Sequence, residues 1–340
     1  CQSFDFKNYN VEDGLSQSEV NVIFQDSRGY LWIGTSGGGV CQFDGITFTQ
    51  YSEKDGLSGD MIRAITEDQD GNLWFASTLG GITKYNGRKF TIYNESDNLL
   101  YSSGFNTLFA DDKNRIWIGS NFGLSIYEDG YFKNFEKNAL LNAEIYQITS
   151  DSKNNTLLAT NKGLVIINEK DTILINTTNG LPSNIITTVT EDNDGNYLIG
   201  TKKNGVIKLL AGSIDEKLQL EFETIPIPSD ISITSIIIDN DKEIWFSTKQ
   251  NGAFVQHIDL SITQLTKENG LKNNNLNCLY QDRSGNLWIG TSGSGIIKLG
   301  TKAFTYFENI EGLNSQAIFS ILEDEESNLW IGTGDEGIYK

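Results

Sequence analysis

The sequence has little of the chemistry that metal sites and nucleophilic catalysis need. It contains one histidine, His257, and three cysteines, Cys1, Cys41 and Cys278, in 340 residues. The cysteines have no metal-site spacing, and their odd number does not suggest a disulfide framework. A single histidine leaves no Ser-His-Asp or Cys-His pairing. We therefore expect no metal, no cofactor and no catalytic residue, and hence no enzyme activity.

Basic residues are scarce, and long apolar runs are lacking. Lys and Arg number 26 against 45 Asp and Glu, which gives a formal net charge of −19. That net negative charge repels a phosphate backbone, and the sequence has no run of Lys and Arg that would form a local basic patch. Nucleic-acid binding is therefore not expected. No stretch approaches the roughly 18 consecutive apolar residues of a membrane helix. We therefore expect no membrane insertion by this segment.

The chain begins at Cys1 rather than at a methionine. We interpret it as a mature or trimmed chain whose targeting segment has been removed. Cys1 is then either the lipid-bearing first residue of a lipoprotein or a residue left at a cleavage or cloning boundary.

What the sequence does contain is one short motif in eight copies. A clear copy is Asp282-Arg-Ser-Gly-Asn-Leu-Trp-Ile-Gly-Thr291, a tight turn followed by a short aromatic and β-branched strand. Each copy has an Asp six residues before the Trp, or before the Leu that replaces it. These aspartates are Asp26, Asp68, Asp111, Asp151, Asp192, Asp239, Asp282 and Asp324. Successive copies are 40 to 47 residues apart, a period that indicates an array of small structural units.

Each repeat predicts four short antiparallel strands. In the first repeat they are residues 20–24, 31–35, 40–43 and 48–51. One such sheet cannot bury both of its faces, whereas radial stacking of several sheets can. The motif Trp is expected to fill the gap between neighbouring sheets, and the Leu of repeats four and five to fill it less. The predicted fold is all-β: a β-propeller of four-stranded antiparallel blades, with residues 1–340 as a single domain.

The two ends of the sequence complement each other. The eighth repeat stops at Lys340 after its third strand, and the chain opens with Phe4-Asp-Phe-Lys-Asn-Tyr9, which is similar to the fourth strand of the first repeat. We therefore predict eight blades, with the N-terminal strand 4–9 completing the last blade, formed by residues 317–340. The alternative is a seven-bladed ring with one repeat outside it, which would leave an unpaired sheet edge.

The Asp-x-x-Gly-Asn-Leu-Trp-Ile-Gly-Thr core and the Asp-Gly-Leu-Ser link resemble the two-component regulator propeller family. The resemblance covers almost the whole chain and is most specific in repeats one, two, three, seven and eight. It implies the periplasmic sensor region of a histidine kinase or hybrid two-component system, on the periplasmic or extracellular face of a bacterial membrane. It also implies downstream β-sandwich and kinase domains, neither of which lies within these residues. Glycan-fragment ligands and homodimers occur in the family.

The repeated Asp has two interpretations. Asp68-x-Asp70-Gly71 is similar to loops that bind hard cations through oxygen ligands. However, the second acid occurs in only a few copies, while the first occurs in all of them. We therefore expect the repeated Asp to shape a turn, as in the Asp-box of sialidase propellers, which the motif also resembles.

A binding site is predicted where the repeats differ. In a propeller, the links between repeats and the loops between second and third strands lie on one face, called here the loop face. A variable, mostly polar position near the start of each first strand holds Asn21, Arg63, Asn106, Tyr146, Thr187, Thr234, Asn277 and Phe319. The loops of the same face carry Phe122, Lys162, Lys202, Lys203, Lys249 and Gln250. Aromatic rings and Asn, Arg or Lys donors suit a sugar or an acidic oligosaccharide, whereas the alternative is that they line a water-filled channel.

Three functions are compatible with these features. We favour a non-catalytic extracytoplasmic sensor propeller of a two-component receptor, which detects glycan fragments or docks a partner domain. The alternatives are a structural or dimerisation propeller without its own ligand, and a polysaccharide lyase or hydrolase on a propeller. Acidic residues abound, but nothing in the sequence selects two of them as a catalytic pair.

Overall fold

The structure is a computed structural model that describes residues 6–97, 104–135, 140–214, 220–228, 230–300, 317–324, 328–334 and 337–339. It divides the chain into two compact units, Cys1–Gly300 and Thr301–Lys340. Both are built of β-strands, and the helical segments of the described residues are 3₁₀ turns of three residues each. No helix among those residues is long and apolar enough to cross a membrane.

The first unit contains seven sheets, numbered here by the order of their first strands. Strand β1 spans Phe6–Tyr9. Sheet 1 consists of β2 (Val20–Gln25), β3 (Leu31–Thr35), β4 (Val40–Phe43) and β5 (Phe48–Tyr51). Sheet 2 consists of β6 (Ile62–Glu67), β7 (Leu73–Ser77), β8 (Gly81–Tyr85) and β9 (Phe90–Tyr93). Sheet 3 consists of β10 (Phe105–Ala110), β11 (Ile116–Ser120), β12 (Gly123–Glu128) and β13 (Tyr131–Asn134).

The second half of the unit repeats this pattern. Sheet 4 consists of β14 (Ile145–Ser150), β15 (Thr156–Thr160), β16 (Gly163–Ile167) and β17 (Thr172–Ile175). Sheet 5 consists of β18 (Ile186–Glu191), β19 (Tyr197–Thr201), β20 (Val206–Leu209) and β21 (Phe222–Thr224). Sheet 6 consists of β22 (Ile233–Ile238), β23 (Ile244–Thr248), β24 (Ala253–Gln256) and β25 (Ile262–Leu265). Sheet 7 contains β26 (Leu276–Gln281), β27 (Leu287–Thr291) and β28 (Ile296–Leu299). The 3₁₀ turns are Val11–Asp13, Glu53–Asp55, Glu95–Asp97, Thr177–Asn179, Ala211–Ser213 and Lys267–Asn269.

Every sheet is antiparallel, and sheets 1 to 6 follow chain order from first to fourth strand. The first strands of neighbouring sheets contact one another around the unit, and β2 of sheet 1 contacts β26 of sheet 7. The seven sheets therefore form a closed ring with the first strands innermost. The prediction of an all-β propeller with four-stranded antiparallel blades is confirmed.

The N-terminal strand completes sheet 7, so the predicted partner of this strand was wrong. Strand β1 pairs with β28, with Phe6 opposite Leu299 and Tyr9 opposite Ile296. Tyr9 is buried, and its ring stacks on Trp288 of the same sheet at 6.0 Å between centroids. The ring thus closes with seven sheets, the alternative that the sequence left open. The predicted fourth strand of the seventh repeat, near Phe304, lies outside the described residues.

The second unit holds the eighth repeat as a three-stranded antiparallel sheet. Its strands are β29 (Ile318–Glu323), β30 (Leu329–Thr333) and β31 (Ile338–Tyr339). Trp330 of β30 is 37% exposed, whereas Trp32 and Trp74 at the same motif position in the first unit are fully buried.

The core of the first unit lies between neighbouring sheets. Trp32 of sheet 1 lies 5.6 Å from the Phe75 ring and 6.0 Å from the Tyr85 ring of sheet 2, measured between centroids. Leu157 replaces the Trp in sheet 4 and is also fully buried, because Tyr197 of sheet 5 belongs to the same apolar cluster. The motif Trp therefore fills the inter-sheet gap as expected, and a tyrosine of the next sheet assists where the Trp is missing.

The structure also explains why Gly and Leu recur in the Asp-Gly-Leu link between repeats. Gly56 follows a 3₁₀ turn with φ +115°, a conformation that favours glycine, and a Cβ there would contact Phe90 at 3.0 Å. Leu57 then enters the gap between sheets 1 and 2, where it is 2% exposed. The link thus fixes the chain where it crosses from one sheet to the next.

Candidate functional site

The repeated Asp organises the turn before each second strand. Asp26 Oδ1 accepts hydrogen bonds from the backbone N–H groups of Arg28 and Tyr30, both at 3.0 Å. Its Oδ2 accepts one from Trp32 Nε1 at 3.0 Å. The same three bonds recur at Asp68, Asp111 and Asp282. The carboxylate is therefore engaged by its own turn and by the motif Trp, which is the structural role that the sequence favoured.

The pKa of the repeated Asp is shifted in opposite directions in different turns. Burial alone would raise the pKa of Asp68, but hydrogen bonds from Trp74 and Asn72 outweigh it and hold the pKa below its ordinary value. In sheet 6, burial raises the pKa of Asp239 and the neighbouring Glu243 carboxylate adds to the rise. Glu243 of sheet 6 occupies the position that Asn72 holds in sheet 2. Asn72 donates a hydrogen bond to Asp68, whereas Glu243 places a second carboxyl group beside Asp239.

The single histidine supports this sixth turn. His257 Nδ1 lies 2.8 Å from Glu243 Oε1, and His257 Nε2 lies 2.8 Å from Thr263 Oγ1. Both ring nitrogens thus have hydrogen-bond partners. His257 therefore links Glu243 of the sixth turn to Thr263 on the fourth strand of the same sheet.

In most sheets, the polar residue near the start of the first strand forms a hydrogen bond to the neighbouring sheet. Each first strand carries a β-bulge at this position, which redirects the side chain. Asn21 Nδ2 donates to the carbonyl of Ile62 in the next sheet at 2.9 Å, and Asn277 Nδ2 donates to Val20 O at 2.9 Å. Equivalent bonds run from Asn106 to Ile145, from Thr187 to Ile233 and from Thr234 to Leu276. These five side chains tie neighbouring sheets together, a function that sequence analysis missed.

Two ring residues of the first unit do not make this inter-sheet bond. Arg63 is exposed, and no hydrogen bond or ion pair engages its side chain among the described residues. Tyr146 instead donates its hydroxyl to Glu144 Oε2 at 2.8 Å. Burial, with help from Glu144, raises the pKa of Tyr146 to about 12. Of the ring residues of the first unit that were predicted to bind a ligand, only Arg63 in sheet 2 and Tyr146 in sheet 4 are therefore not engaged in bonds between sheets.

The remaining predicted residues lie in the loops between second and third strands, with one exception. Phe122 is 45% exposed, Lys202 and Lys249 are exposed, and Lys162 Nζ donates to Asn142 O. The exception is Phe319, which lies on β29 of the second unit and is 81% exposed.

The loops that carry these side chains are held in place by the links between repeats. The first loop residue donates its backbone N–H to a link carbonyl, as in Asn121 N to Gly104 O at 2.8 Å and Lys249 N to Ser232 O at 3.0 Å. The loop face of the first unit thus presents cations and an aromatic ring on an anchored backbone.

Two cavities lie on the opposite face, called here the turn face because it carries the Asp turns. One, of about 490 Å³, is lined by the first strands of sheets 5, 6 and 7. The other, of about 270 Å³, lies between sheets 2 and 3, and its Lys84 pairs with Asp68 at 3.2 Å. Sequence analysis missed both.

Comparison with solved structures shows the same fold in receptor domains. The extracellular domain of BT3049 from B. thetaiotaomicron, named as a hybrid two-component system, is 21% identical, with a TM-score of 0.75 over 98% of this chain and 53% of its own. The extracellular domain of BT4673 from the same organism, named as a one-component system, is 22% identical, with a TM-score of 0.73 over 99% of this chain and 45% of its own. This chain thus spans about half the length of these two structures.

Enzymes share the fold as well. Virginiamycin B lyase from Staphylococcus aureus is 16% identical, with a TM-score of 0.69 over 87% of this chain and 99% of its own. A search of curated proteins gives no match.

Five of the repeats match a known family. The family described as "Two component regulator propeller" matches residues 14–37, 56–78, 180–203, 270–293 and 312–335. These are repeats one, two, five, seven and eight, so the match includes repeat five, with its Leu in place of Trp, rather than repeat three. Five segments of this chain are therefore similar to the repeat of the two-component regulator propeller family.

Proposed function

We propose that this chain is an extracytoplasmic sensor propeller of a two-component receptor, and that its loop face binds an oligosaccharide without transforming it. The family of the repeats and the extracellular receptor domains that share the fold support the sensor role. The observation that carries the ligand site is the exposed Arg63 guanidinium. Of the seven ring side chains of the first unit, five bond a neighbouring sheet and Tyr146 bonds a glutamate, whereas Arg63 has no partner among the described residues.

The chemistry of this face favours a sugar with an acidic group. Arg63 offers up to five N–H donors in a planar fork that matches a carboxylate. The exposed ring of Phe122, in the next sheet along the chain, supplies an apolar surface for the C–H face of a sugar. Lys162, Lys202 and Lys249 add positive charge to a protein whose net charge is −19. Together with Arg63, these side chains are the groups on the loop face that would attract an anion.

Calorimetric titration with neutral and uronic-acid-containing oligosaccharides tests this proposal. A bound acidic oligosaccharide should lose about 1.5–3 kcal/mol of affinity in Arg63→Ala, or roughly 10- to 150-fold in Kd, because a charge-assisted hydrogen bond is removed. Arg88→Ala is the matched control, since Arg88 is an exposed arginine in a turn-face hairpin of the same sheet. Equal loss in both variants, or no binding of any member of the panel, would count against the proposal.

Two other functions make different predictions. A dimerisation propeller would show a concentration-dependent mass by light scattering and no titration heat with any sugar. A polysaccharide lyase or hydrolase would release shorter products from the bound oligosaccharide, which chromatography would detect. We propose further that downstream β-sandwich and kinase domains transmit the signal and that the chain works at the periplasmic or extracellular face of a bacterial membrane.

A further inference from the structure

The loop between second and third strands has one common conformation in sheets 1, 5, 6 and 7. It runs from a Thr to a Gly over five residues, is called here the Thr–Gly loop, and comprises residues 35–39, 201–205, 248–252 and 291–295. In all four loops the Thr hydroxyl donates to the carbonyl of the final Gly and accepts the backbone N–H of the residue before that Gly. The backbone N–H groups of the second residue and of the final Gly donate to the links on either side of the sheet. The backbone of each loop is therefore held by the same set of bonds.

The second and fourth residues of the Thr–Gly loop differ between the sheets. In sheets 5 and 6 they are lysine and asparagine, as Lys202, Asn204, Lys249 and Asn251. In sheets 1 and 7 they are serine or glycine, as Ser36, Gly38, Ser292 and Ser294. Since the loop has the same backbone bonds with these small residues, its conformation does not require the lysine or the asparagine.

The lysine and asparagine side chains of sheets 5 and 6 are available to a ligand. Lys202, Asn204, Lys249 and Asn251 are all exposed, and no hydrogen bond or ion pair engages their side chains within the part of the chain that the structure describes. Two neighbouring sheets thus present the same pair of polar groups on the same rigid backbone.

The charges of the loop face are unevenly distributed around the ring. The links before sheets 1 and 2 carry the acids Glu12, Asp13, Glu19, Glu53, Asp55 and Asp60. The Thr–Gly loops of sheets 5 and 6 contain no acid and three lysines, Lys203 being the third. Lysine is therefore concentrated at sheets 5 and 6, in a chain whose net charge is −19.

We infer that the Thr–Gly loops of sheets 5 and 6 together bind one extended acidic polysaccharide chain, each loop holding one acidic group. This inference rests on the proposed function and specifies its ligand. Sheets 5 and 6 are neighbours in the ring, and stacked sheets lie about 10 Å apart, so Lys202 and Lys249 present two cations at about that spacing. Each ammonium group would donate to a carboxylate of the chain. The amides of Asn204 and Asn251 both donate and accept, as sugar hydroxyls require.

The dependence of affinity on chain length gives the first test. A ligand that reaches both loops gains because its second acidic group binds at a high effective concentration. In calorimetric titration of the wild-type protein, tetragalacturonate should therefore bind more than about tenfold more tightly than galacturonic acid. A ratio of about four or less, which the number of acidic groups alone would give, would overturn the inference.

Exchange of the two lysines gives the second test. The double variant Lys202→Ser, Lys249→Ser introduces the residue that the same loop carries in sheets 1 and 7, so the loop conformation should be retained. It should weaken tetragalacturonate binding at least about tenfold. The matched control is Lys153→Ser, Lys170→Ser, which removes two exposed lysines from the turn face of sheet 4 and should change the affinity less than about twofold.

Equal weakening in the two double variants would overturn the inference, because it would show only a general effect of net charge. Thermal unfolding of both variants establishes that they are folded before the titrations are compared. Tetraglutamate, a peptide with the same number of side-chain carboxylates, should bind at least about tenfold more weakly than tetragalacturonate. Equal binding of the peptide would overturn the assignment of a sugar chain.

The inference and the proposed function can fail separately. Binding of tetragalacturonate that is unaffected by Lys202→Ser, Lys249→Ser would overturn the inference and leave the proposed function standing. Binding that depends on the two lysines but not on Arg63 would support the inference and count against the ligand site assigned to Arg63. Failure of every acidic oligosaccharide to bind would overturn both.

Discussion

At the scale of single residues, the same Asp turn is neutralised in different ways around the ring. Asp26, Asp68, Asp111 and Asp192 each have a cation within 3.2 Å, from Arg28, Lys84, Arg115 and Lys208. The turn geometry is common to all of these sheets, but the cation comes from the turn itself in two of them and from the third strand in the other two. The backbone turn is therefore predictable from the Asp and its spacing, whereas the source of the counter-charge is not.

The ion pair at Asp68 has a definite pH dependence. The pKa of Asp68 is held below its ordinary value, so its contribution to stability is present above the unfolded pKa of about 3.9 and is lost as pH falls through the folded pKa. Lys84→Met should lower the free energy of unfolding at pH 7 by up to about 1 kcal/mol, because the pair is partly exposed. Urea unfolding at pH 7 and at about pH 3 measures this difference, which should shrink at the lower pH.

Lys298→Met is the control for that experiment. Lys298 lies over Trp288 at 5.4 Å as Lys84 lies over Trp74 at 4.9 Å, but it forms no ion pair with the Asp of its sheet. Its effect on stability should be the same at both pH values. An identical pH dependence in the two variants would contradict the assigned role of the Asp68 pair.

At the scale of strands and sheets, the sequence predicted the positions of the strands better than the side-chain contacts between sheets. The four strands of the first repeat begin at residues 20, 31, 40 and 48, as the alternation of apolar residues and turn signals predicted. The inter-sheet bonds of Asn21, Asn106 and Asn277 were not predicted, because they depend on a β-bulge that no residue type at this position requires. A variable polar ring therefore suggested a ligand site where the structure mostly shows a connection between sheets.

Sheets 4 and 5 show how a lost Trp is replaced across a sheet boundary. Leu157 cannot donate to Asp151, and the donor is instead the hydroxyl of Tyr197 in the next sheet, 2.7 Å from Asp151 Oδ2. Tyr197→Phe should lower the free energy of unfolding by about 1–3 kcal/mol, because it leaves a buried carboxylate with one donor fewer. Chemical denaturation measures the change.

The control is Tyr131→Phe, which removes a hydroxyl from a side chain that is 78% exposed. It should change the free energy of unfolding by less than about 0.5 kcal/mol. A loss at Tyr197 no larger than that at Tyr131 would mean that the Asp151 bond does not hold the two sheets together.

At the scale of the whole molecule, the number of sheets in the ring was the feature that the sequence could not decide. The N-terminal segment has the pattern of a fourth strand, and that pattern is shared by the repeats, so it fits sheet 7 as well as an eighth sheet. The choice depends on long-range contacts. Tyr9 lies between Trp288 of sheet 7 and Phe43 of sheet 1, at 6.0 Å and 5.3 Å between ring centroids. Side-chain packing at the closure therefore supplies information that no local pattern carries.

The two faces of the ring also differ in how far the sequence could predict a candidate ligand site on them. The loop face could be located from topology alone, since links and loops of every repeat meet there. The larger turn-face cavity could not, because it is lined by the first strands of three sheets, and no local sequence pattern shows how those strands are placed around it.

The closure of a seven-sheet ring by the N-terminal strand is the claim on which both faces depend, and native lysines allow a direct test. Lys7 lies opposite Lys298 in the pairing of β1 with β28. A short amine-reactive cross-linker followed by mass spectrometry of the peptides should therefore give an intramolecular Lys7–Lys298 link in the monomer. A Lys7–Lys340 link in its place, with no link to Lys298, would contradict this ring and return the N-terminal strand to the eighth repeat.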